Sequence, residues 1–179
     1  GEWIERERPC AIGECGLDFF IDGLDRERQQ HYFVGQLELA RRFDLPVIVH
    51  ARRAVDAVIA AIRRVGGLRG VVHSFSGSLQ QAAQLHEQGF LLGLGGPATY
   101  ERAQRLHRLV REMPLAQLLL ETDAPDQPDA GIRGQRNEPA RLREIAVHVA
   151  GLRGITVEQL AAATAANAQR LFGLPAADG

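Results

Sequence analysis

The chain has 179 residues, of which 45% are hydrophobic and 24% are charged, and its formal net charge is −1. This length suits one domain with its own core, and the near-neutral charge excludes attraction to nucleic acid or membranes by an overall field. We expect no signal peptide and no membrane span, because no apolar stretch approaches the roughly 20 residues that a span needs. Cys10 and Cys15 should face opposite sides of one strand, so we expect no disulfide between them and a reduced, cytoplasmic protein.

Short apolar runs alternate with helical patterns along the chain. The predicted strands are 9–14, 45–50, 70–73, 90–95 and 117–122. The predicted helices are 25–43, 54–65, 78–88, 100–112, 138–150 and 157–171, with a loop at 124–136. Capping-box spacing supports two helix starts, at Ser78 with Gln81 and at Thr156 with Gln159. This alternation predicts a parallel α/β sheet with right-handed crossovers.

The number of βα units leaves two α/β folds open. Five predicted units fall short of the eight in a closed barrel, which takes about 250 residues. The chain is then either an open doubly wound sheet or a (β/α)8 TIM-type barrel that lacks its first two or three β/α units. Because the chain begins at Gly1 and its only methionine is Met113, we favour the barrel, as a piece of a longer polypeptide. Residues 1–179 would form one domain, the C-terminal part of that barrel.

Four apolar runs end on side chains that can bind metal: Glu14, His50, His73 and Asp123. The C-terminal ends of barrel strands form the active-site face. Taken singly, each residue has a structural alternative, namely a solvated turn acid, a core histidine, a segment that caps a helix, and a loop acid or cap. Four ligand-type residues at the same end of four strands are hard to obtain from independent structural roles, so we predict one shared divalent-metal site.

Five segments in this order resemble one known family. They are Gly13-Glu14-Cys15-Gly16-Leu17-Asp18, Pro46-Val47-Ile48-Val49-His50, His73-Ser74-Phe75-Ser76-Gly77, Glu121-Thr122-Asp123-Ala124-Pro125 and Arg136-Asn137-Glu138-Pro139. In order and spacing they resemble the motifs of TatD-like metal-dependent deoxyribonucleases, which belong to the amidohydrolase superfamily of βα-barrels. The run 70–139 is most similar to the YjjV-type subgroup.

The resemblance implies a role for each predicted ligand. Glu14 would bridge two divalent ions (Zn, Mg or Mn), His50 and His73 would bind the second ion, and Asp123 would bind the first and help to activate water. Glu14 and Asp123 are therefore the candidate catalytic residues. The family also has a His-x-His pair on its first strand, and this sequence contains no such pair.

Residues beside these ligands are candidates for substrate binding and for positioning. Arg52 is expected to contact a substrate phosphate; the alternative is a surface ion pair with Asp18 or Asp56. The segment Ser76 to Ser78 opens a predicted helix and could hold a phosphate on N–H groups; the alternative is ordinary capping. Glu121 and Asn137 are expected to orient the ligands and the 124–136 loop.

The predicted function is metal-dependent hydrolysis of DNA, with 3'-5' exonuclease action on single strands. DNA is the expected partner, no membrane association is expected, and the full-length protein is expected to be a monomer. Two alternatives remain open at this stage. One is a metal-dependent deacylase, for example one acting on D-aminoacyl-tRNA, since metal ligands do not report which bond is cut. The other is a non-catalytic truncated remnant that lacks the missing ligand pair.

Overall fold

A computed structural model describes residues 1–175, and the last four residues of the predicted domain, 176–179, lie outside this range. The sheet has five strands, all parallel, in the order β1-β2-β3-β4-β5. The strands are β1 (Ile12–Asp18), β2 (Val47–Arg52), β3 (Gly70–Val72), β4 (Phe90–Leu94) and β5 (Leu118–Leu120).

Helices connect and cover these strands. They are α1 (Glu2–Glu7), α2 (Arg26–Phe43), α3 (Val55–Val65), α4 (Leu79–Glu87), α5 (Gln104–Glu112), α6 (Leu142–Arg153) and α7 (Val157–Phe172). The two predicted capping boxes are confirmed, at Ser78 for α4 and Thr156 for α7. Short 3-10 turns precede α5 and α6 and contain Pro97 and Pro139, so these helices begin later than the sequence suggests.

The strand order decides between the two folds. Each strand pairs with its sequence neighbour throughout, which is the order of a (β/α)8 barrel, whereas a doubly wound sheet reverses direction at a switch point. The barrel fold class is therefore confirmed, here as five consecutive barrel strands. Side chains such as Leu17, Val49, Val72, Leu92 and Leu118 have no exposed surface and form the core with the covering helices.

Two strands extend further than predicted. β1 continues past Glu14 to Asp18, and β2 continues past His50 to Arg52. The prediction that Glu14 and His50 end their strands is therefore wrong. Gly16 explains part of the extension, because a Cβ atom there would lie 2.0 Å from the His50 carbonyl oxygen, so only glycine allows β1 to approach β2 this closely.

Two expectations about the environment can be compared with the structure. Within the described residues, Cys10 and Cys15 are both free; the former is exposed and the latter is buried. No helix in residues 1–175 combines the length and the apolar character needed to cross a membrane.

Candidate metal centre

Three of the predicted ligands converge on one point. Glu14 Oε1 lies 3.0 Å from His50 Nδ1 and 2.8 Å from His73 Nε2. The two imidazole nitrogens are 3.2 Å apart. One carboxylate and two imidazoles directed at a common point form a donor set that fits a divalent ion such as Zn or Mn.

Sheet geometry produces this convergence. The pairing of β1 with β2 shifts register between Ile12 and Cys15, so Glu14 sits at an irregularity of the strand, and such irregularities redirect side chains. Beyond the shift, Gly16 pairs with His50. His73 directly follows β3, and its N–H donates to the Val49 carbonyl at 3.0 Å, which fixes it beside β2.

A second carboxylate faces each histidine from behind. His50 Nε2 lies 3.4 Å from Asp18 Oδ2, and His73 Nδ1 lies 3.8 Å from Glu121 Oε1. Metal-ligating histidines usually direct the other ring nitrogen at a carboxylate, which fixes the tautomer and the ring orientation. Both histidines have this arrangement. Glu121 was a predicted positioning residue, whereas Asp18 was considered only as an ion-pair partner.

Negative charge around the histidines favours a cation at this point. Glu121, with contributions from Glu14 and Asp123, raises the pKa of His73 to about 9, although burial opposes the shift. Burial also opposes the shift at Asp18, but the Phe20 N–H, His50 and Arg52 together lower its pKa. The site is thus built to hold positive charge, and binding of a metal would displace the proton from His73.

Cys15 is not a candidate ligand. Its side chain is buried, and its Sγ is directed at the Ile48 carbonyl at 3.9 Å. Burial, with a smaller contribution from Glu14, raises the pKa of the thiol to about 12. Metals bind the thiolate form, so this residue is a core side chain beneath the metal centre.

Asp123 lies in the same cavity but outside the three-donor group. Together with Glu14, His50 and His73 it lines an open cavity of about 680 Å³. Its carboxylate accepts a hydrogen bond from Gln127, and its backbone has a φ of 55°. A residue other than glycine in this left-handed region stores strain, which often marks a functional position.

A polar network missing from the sequence prediction connects the two sides of the cavity. The Ser74 N–H and hydroxyl both donate to Glu121 Oε1, at 2.6 and 2.8 Å. Gln127 Nε2 donates to Ser74 Oγ at 2.7 Å as well as to Asp123. Ser74 could have been inferred from its position after His73, whereas nothing in the local sequence marks Gln127.

Asn137 closes the loop that carries Asp123. Its side chain is buried, and its Nδ2 donates to the carbonyls of Thr122 and Asp126, each at 2.7 Å. Its Oδ1 accepts from the Glu138 N–H at 2.9 Å. These contacts hold both ends of the 122–126 turn, as the expectation that Asn137 orients this loop requires.

The predicted phosphate-binding residues are placed differently from one another. Arg52 and Ser76 line the cavity. Arg52 also lies 3.9 Å from Asp18 Oδ2, so the ion-pair alternative describes a real contact. Ser78 is not among the cavity-lining residues; its hydroxyl accepts from the Gln81 N–H at 3.1 Å and caps α4, as the capping alternative states.

A profile of the TatD related DNase family matches residues 2–173. The chain belongs to this family. It is 45% identical over 166 residues to the uncharacterized metal-dependent hydrolase YjjV of Escherichia coli K12, covering 92% of this chain and 64% of that relative. The family resemblance and the likeness to YjjV found in the motifs are thereby confirmed.

Further proteins of the TatD family are similar to this chain in sequence and in structure. The 3'-5' ssDNA/RNA exonuclease TatD of Erwinia amylovora is 41% identical over 92% of this chain and 66% of its own length. The crystal structure of Escherichia coli YjjV superposes with a TM-score of 0.91 at 41% identity, covering 97% of this chain and 68% of that one. A TatD family hydrolase from Entamoeba histolytica, at 22% identity and a TM-score of 0.79, shares the fold. The chain spans about two thirds of the length of these relatives.

Proposed function

We propose that this chain forms the main part of a metal-dependent hydrolase that cleaves phosphodiester bonds in DNA. The observation that carries the proposal is the convergence of Glu14, His50 and His73 in a cavity that Asp123 also lines. The names of its TatD relatives, which include metal-dependent hydrolases and an exonuclease, support the same activity.

Glu14, His50 and His73 would hold one divalent ion. When bound, such an ion lowers the pKa of water towards neutrality and offsets charge on a phosphate. Asp18 and Glu121 would keep the two imidazoles in the orientation that directs a lone pair at the common point. A second ion of the proposed centre would be held by Glu14 and Asp123, the carboxylates that line the cavity.

Asp123 would act as the general base. Its carboxylate lies in the cavity, and Gln127 holds one of its oxygens through a hydrogen bond. The other oxygen is then available to accept a proton from the attacking water, provided that the water is within about 2.6–3.2 Å. Fixing the carboxylate through Gln127 and the Asn137 turn lowers the entropic cost of reaching this geometry.

Arg52 and Ser76 would contact the phosphate of the substrate. The guanidinium of Arg52 is half exposed at the cavity edge and can donate two parallel hydrogen bonds to phosphate oxygens. The volume of about 680 Å³ is adequate for one nucleotide. An open cavity of this size would accommodate a flexible strand end, and 3'-5' action on single-stranded DNA is part of the proposal.

The test is metal-dependent cleavage of a 3'-labelled single-stranded oligonucleotide, with metal content measured on the same sample. Asp123→Asn should reduce turnover by at least a hundredfold and leave metal binding through Glu14, His50 and His73 in place. Asp22→Asn, an exposed aspartate outside the cavity, is the matched control. Undiminished turnover of Asp123→Asn would exclude Asp123 as the general base. Hydrolysis of misacylated tRNA without DNA cleavage would assign the cavity to the hydrolysis of carboxylic esters.

A further inference from the structure

An exposed aromatic side chain borders the metal centre and contacts two arginines. Phe20 follows β1, and 43% of its surface is exposed. The guanidinium carbon of Arg52 lies 3.7 Å from the centroid of its ring, and that of Arg53 lies 4.7 Å from the same centroid. Two cations therefore lie against one exposed ring, and the Asp18 carboxylate, 3.9 Å from Arg52, offsets only one of their charges.

The cluster is adjacent to the cavity. Arg52 lines the cavity together with Glu14 and His50. Asp18 stands between the two groups, since its Oδ2 lies 3.4 Å from His50 Nε2 and 3.9 Å from Arg52 Nη1. Because Arg52 belongs to both groups, the cluster lies beside the cavity that would hold the scissile phosphate.

Hydrogen bonds fix the backbone that carries the ring. The Phe20 N–H donates to Asp18 Oδ1 at 2.8 Å, and the preceding N–H of Phe19 donates to the Arg52 carbonyl at 2.9 Å. Asp18 itself pairs with Arg52 across the two strands. The ring is thus attached to the paired ends of β1 and β2, so it is available for binding without first ordering a loop.

Among the described residues, Phe20 belongs to neither hydrophobic core cluster. A fully buried phenylalanine stabilises a protein by about 1.5–3 kcal/mol, and nearly half of this ring is outside the core. Within residues 1–175, Arg52 has an ion-pair contact with Asp18 at 3.9 Å and Arg53 has no ion-pair partner, so both guanidinium groups can still donate to a ligand. Planar guanidinium and aromatic surfaces with free donors suit a ligand that is flat, aromatic and anionic.

We propose that Phe20, Arg52 and Arg53 form a platform on which a base of the nucleic-acid strand stacks while the arginines hold its flanking phosphate. This inference rests on the proposed function, and it adds a binding position for the part of the strand next to the scissile bond. Every base can stack on an aromatic side chain, so the platform would bind single strands without sequence specificity. Unpaired bases are required, because a base inside a duplex cannot stack on the ring.

The experiment compares two single-stranded ten-residue oligonucleotides, oligothymidine and the same backbone with abasic residues, in EDTA. Fluorescence anisotropy gives their dissociation constants. Phe20→Leu keeps an apolar side chain and removes the aromatic face, so it should weaken oligothymidine binding roughly 5- to 100-fold, as expected for the loss of one stacked base. Binding of the abasic strand should not change. Tyr32→Leu removes another exposed aromatic ring, contacted by Arg28 on α2 and outside the cavity, and should alter neither value.

Two further readouts keep the outcome decisive. Phe20→Trp in a Trp3→Phe background places the only tryptophan on the platform, and its fluorescence should be quenched by oligothymidine and not by the abasic strand. Arg53→Ala should weaken the binding of both strands equally. It should also reduce the slope of log affinity against log salt concentration by the equivalent of about one phosphate contact. Equal effects of Phe20→Leu on both strands, or an unquenched tryptophan, would overturn the platform.

The same samples distinguish this inference from the function on which it rests. Binding in EDTA tests the platform, and cleavage after addition of Mn²⁺ or Zn²⁺ tests the hydrolase. Metal-dependent cleavage with no preference for bases in binding would refute only the platform. Base-dependent binding without cleavage would refute only the hydrolase.

Discussion

Gly93 on β4 lies against the carboxylate that supports His73, and its replacement by alanine tests this arrangement directly. A Cβ atom at position 93 would lie 2.0 Å from Glu121 Oε2 and 3.2 Å from the His73 Cα. The carboxylate would have to move, because Cβ atoms do not approach oxygen this closely. Movement of Glu121 breaks the two hydrogen bonds that it accepts from Ser74, at 2.6 and 2.8 Å.

The structure sets the size of the effect. Hydrogen bonds to a charged group contribute about 1.5–3 kcal/mol each, and part of this is recovered because Glu121 can rotate towards water. Alanine also removes chain entropy from the unfolded state, which offsets about 0.4–1 kcal/mol. We therefore expect Gly93→Ala to lower the free energy of unfolding by about 2–3 kcal/mol. Loss of the partner of His73 should weaken metal binding by about 10- to 100-fold.

Urea unfolding of the metal-free chain measures the first quantity, and a metal titration measures the second. The matched control is Gly151→Ala in α6, where an added Cβ meets nothing within 4 Å. This change should stabilise the chain by about 0.5–1 kcal/mol, because alanine is the better helix former. A Gly93→Ala variant as stable as the parent, with unchanged metal affinity, would refute the assignment of Glu121 as the support of His73.

Three further predictions address the loop, the pH dependence and the metal. Asn137→Ala leaves the carbonyls of Thr122 and Asp126 without their buried donor, so the free energy of unfolding should fall by about 2–4 kcal/mol; a variant as stable as the parent in urea unfolding would contradict this. Burial and the neighbouring His107 lower the pKa of His148, so the unfolded chain takes up the proton first and stability should fall as pH drops below about 6.5. Urea unfolding at pH 7 and pH 5 measures this loss, and the free energy of unfolding should fall less in His148→Gln than in the parent. Equal losses in the two proteins would exclude His148 as the cause. A divalent metal at a hundred times its dissociation constant should stabilise the parent by about 2.7 kcal/mol, an effect that His73→Ala should remove in thermal melts.

The sequence indicates the fold well because its signals are local and periodic. Apolar runs such as Gly70–Val72 and the capping boxes at Ser78 and Thr156 lie where expected. The candidate metal ligands could be predicted because apolar runs lead to them, so strand topology alone brings them to one edge of the sheet. What could not be read was the continuation of β1, since the register shift beside Glu14 and the close approach at Gly16 depend on the partner strand.

Glu121 was predicted as a positioning residue, but the network around it was not, because its members are distant in sequence. Glu121 contacts Ser74 across 47 residues, and Gln127 contacts it across 53. A glutamine in a loop carries no signal of its own, and only the packed structure brings it beside Asp123. Ser78 illustrates the opposite case: its spacing to Gln81 fits both a phosphate site and a cap, and the hydrogen bonds show that it caps the helix.

The carboxylates behind the two histidines differ in a way that separates nucleic-acid binding from metal affinity. Asp18, behind His50, accepts from the Phe20 N–H and lies beside Arg52, so it belongs to the strand ends and to the proposed platform. Glu121, behind His73, is held by Ser74 within the cavity wall. Removal of Asp18 should therefore disturb the placement of the strand as well as the metal, whereas removal of Glu121 should weaken the metal site and the fold together. Nucleic-acid binding in EDTA should then change in Asp18→Asn and stay constant in Glu121→Gln, and the reverse pattern would contradict the connection of the platform to the metal centre through Asp18.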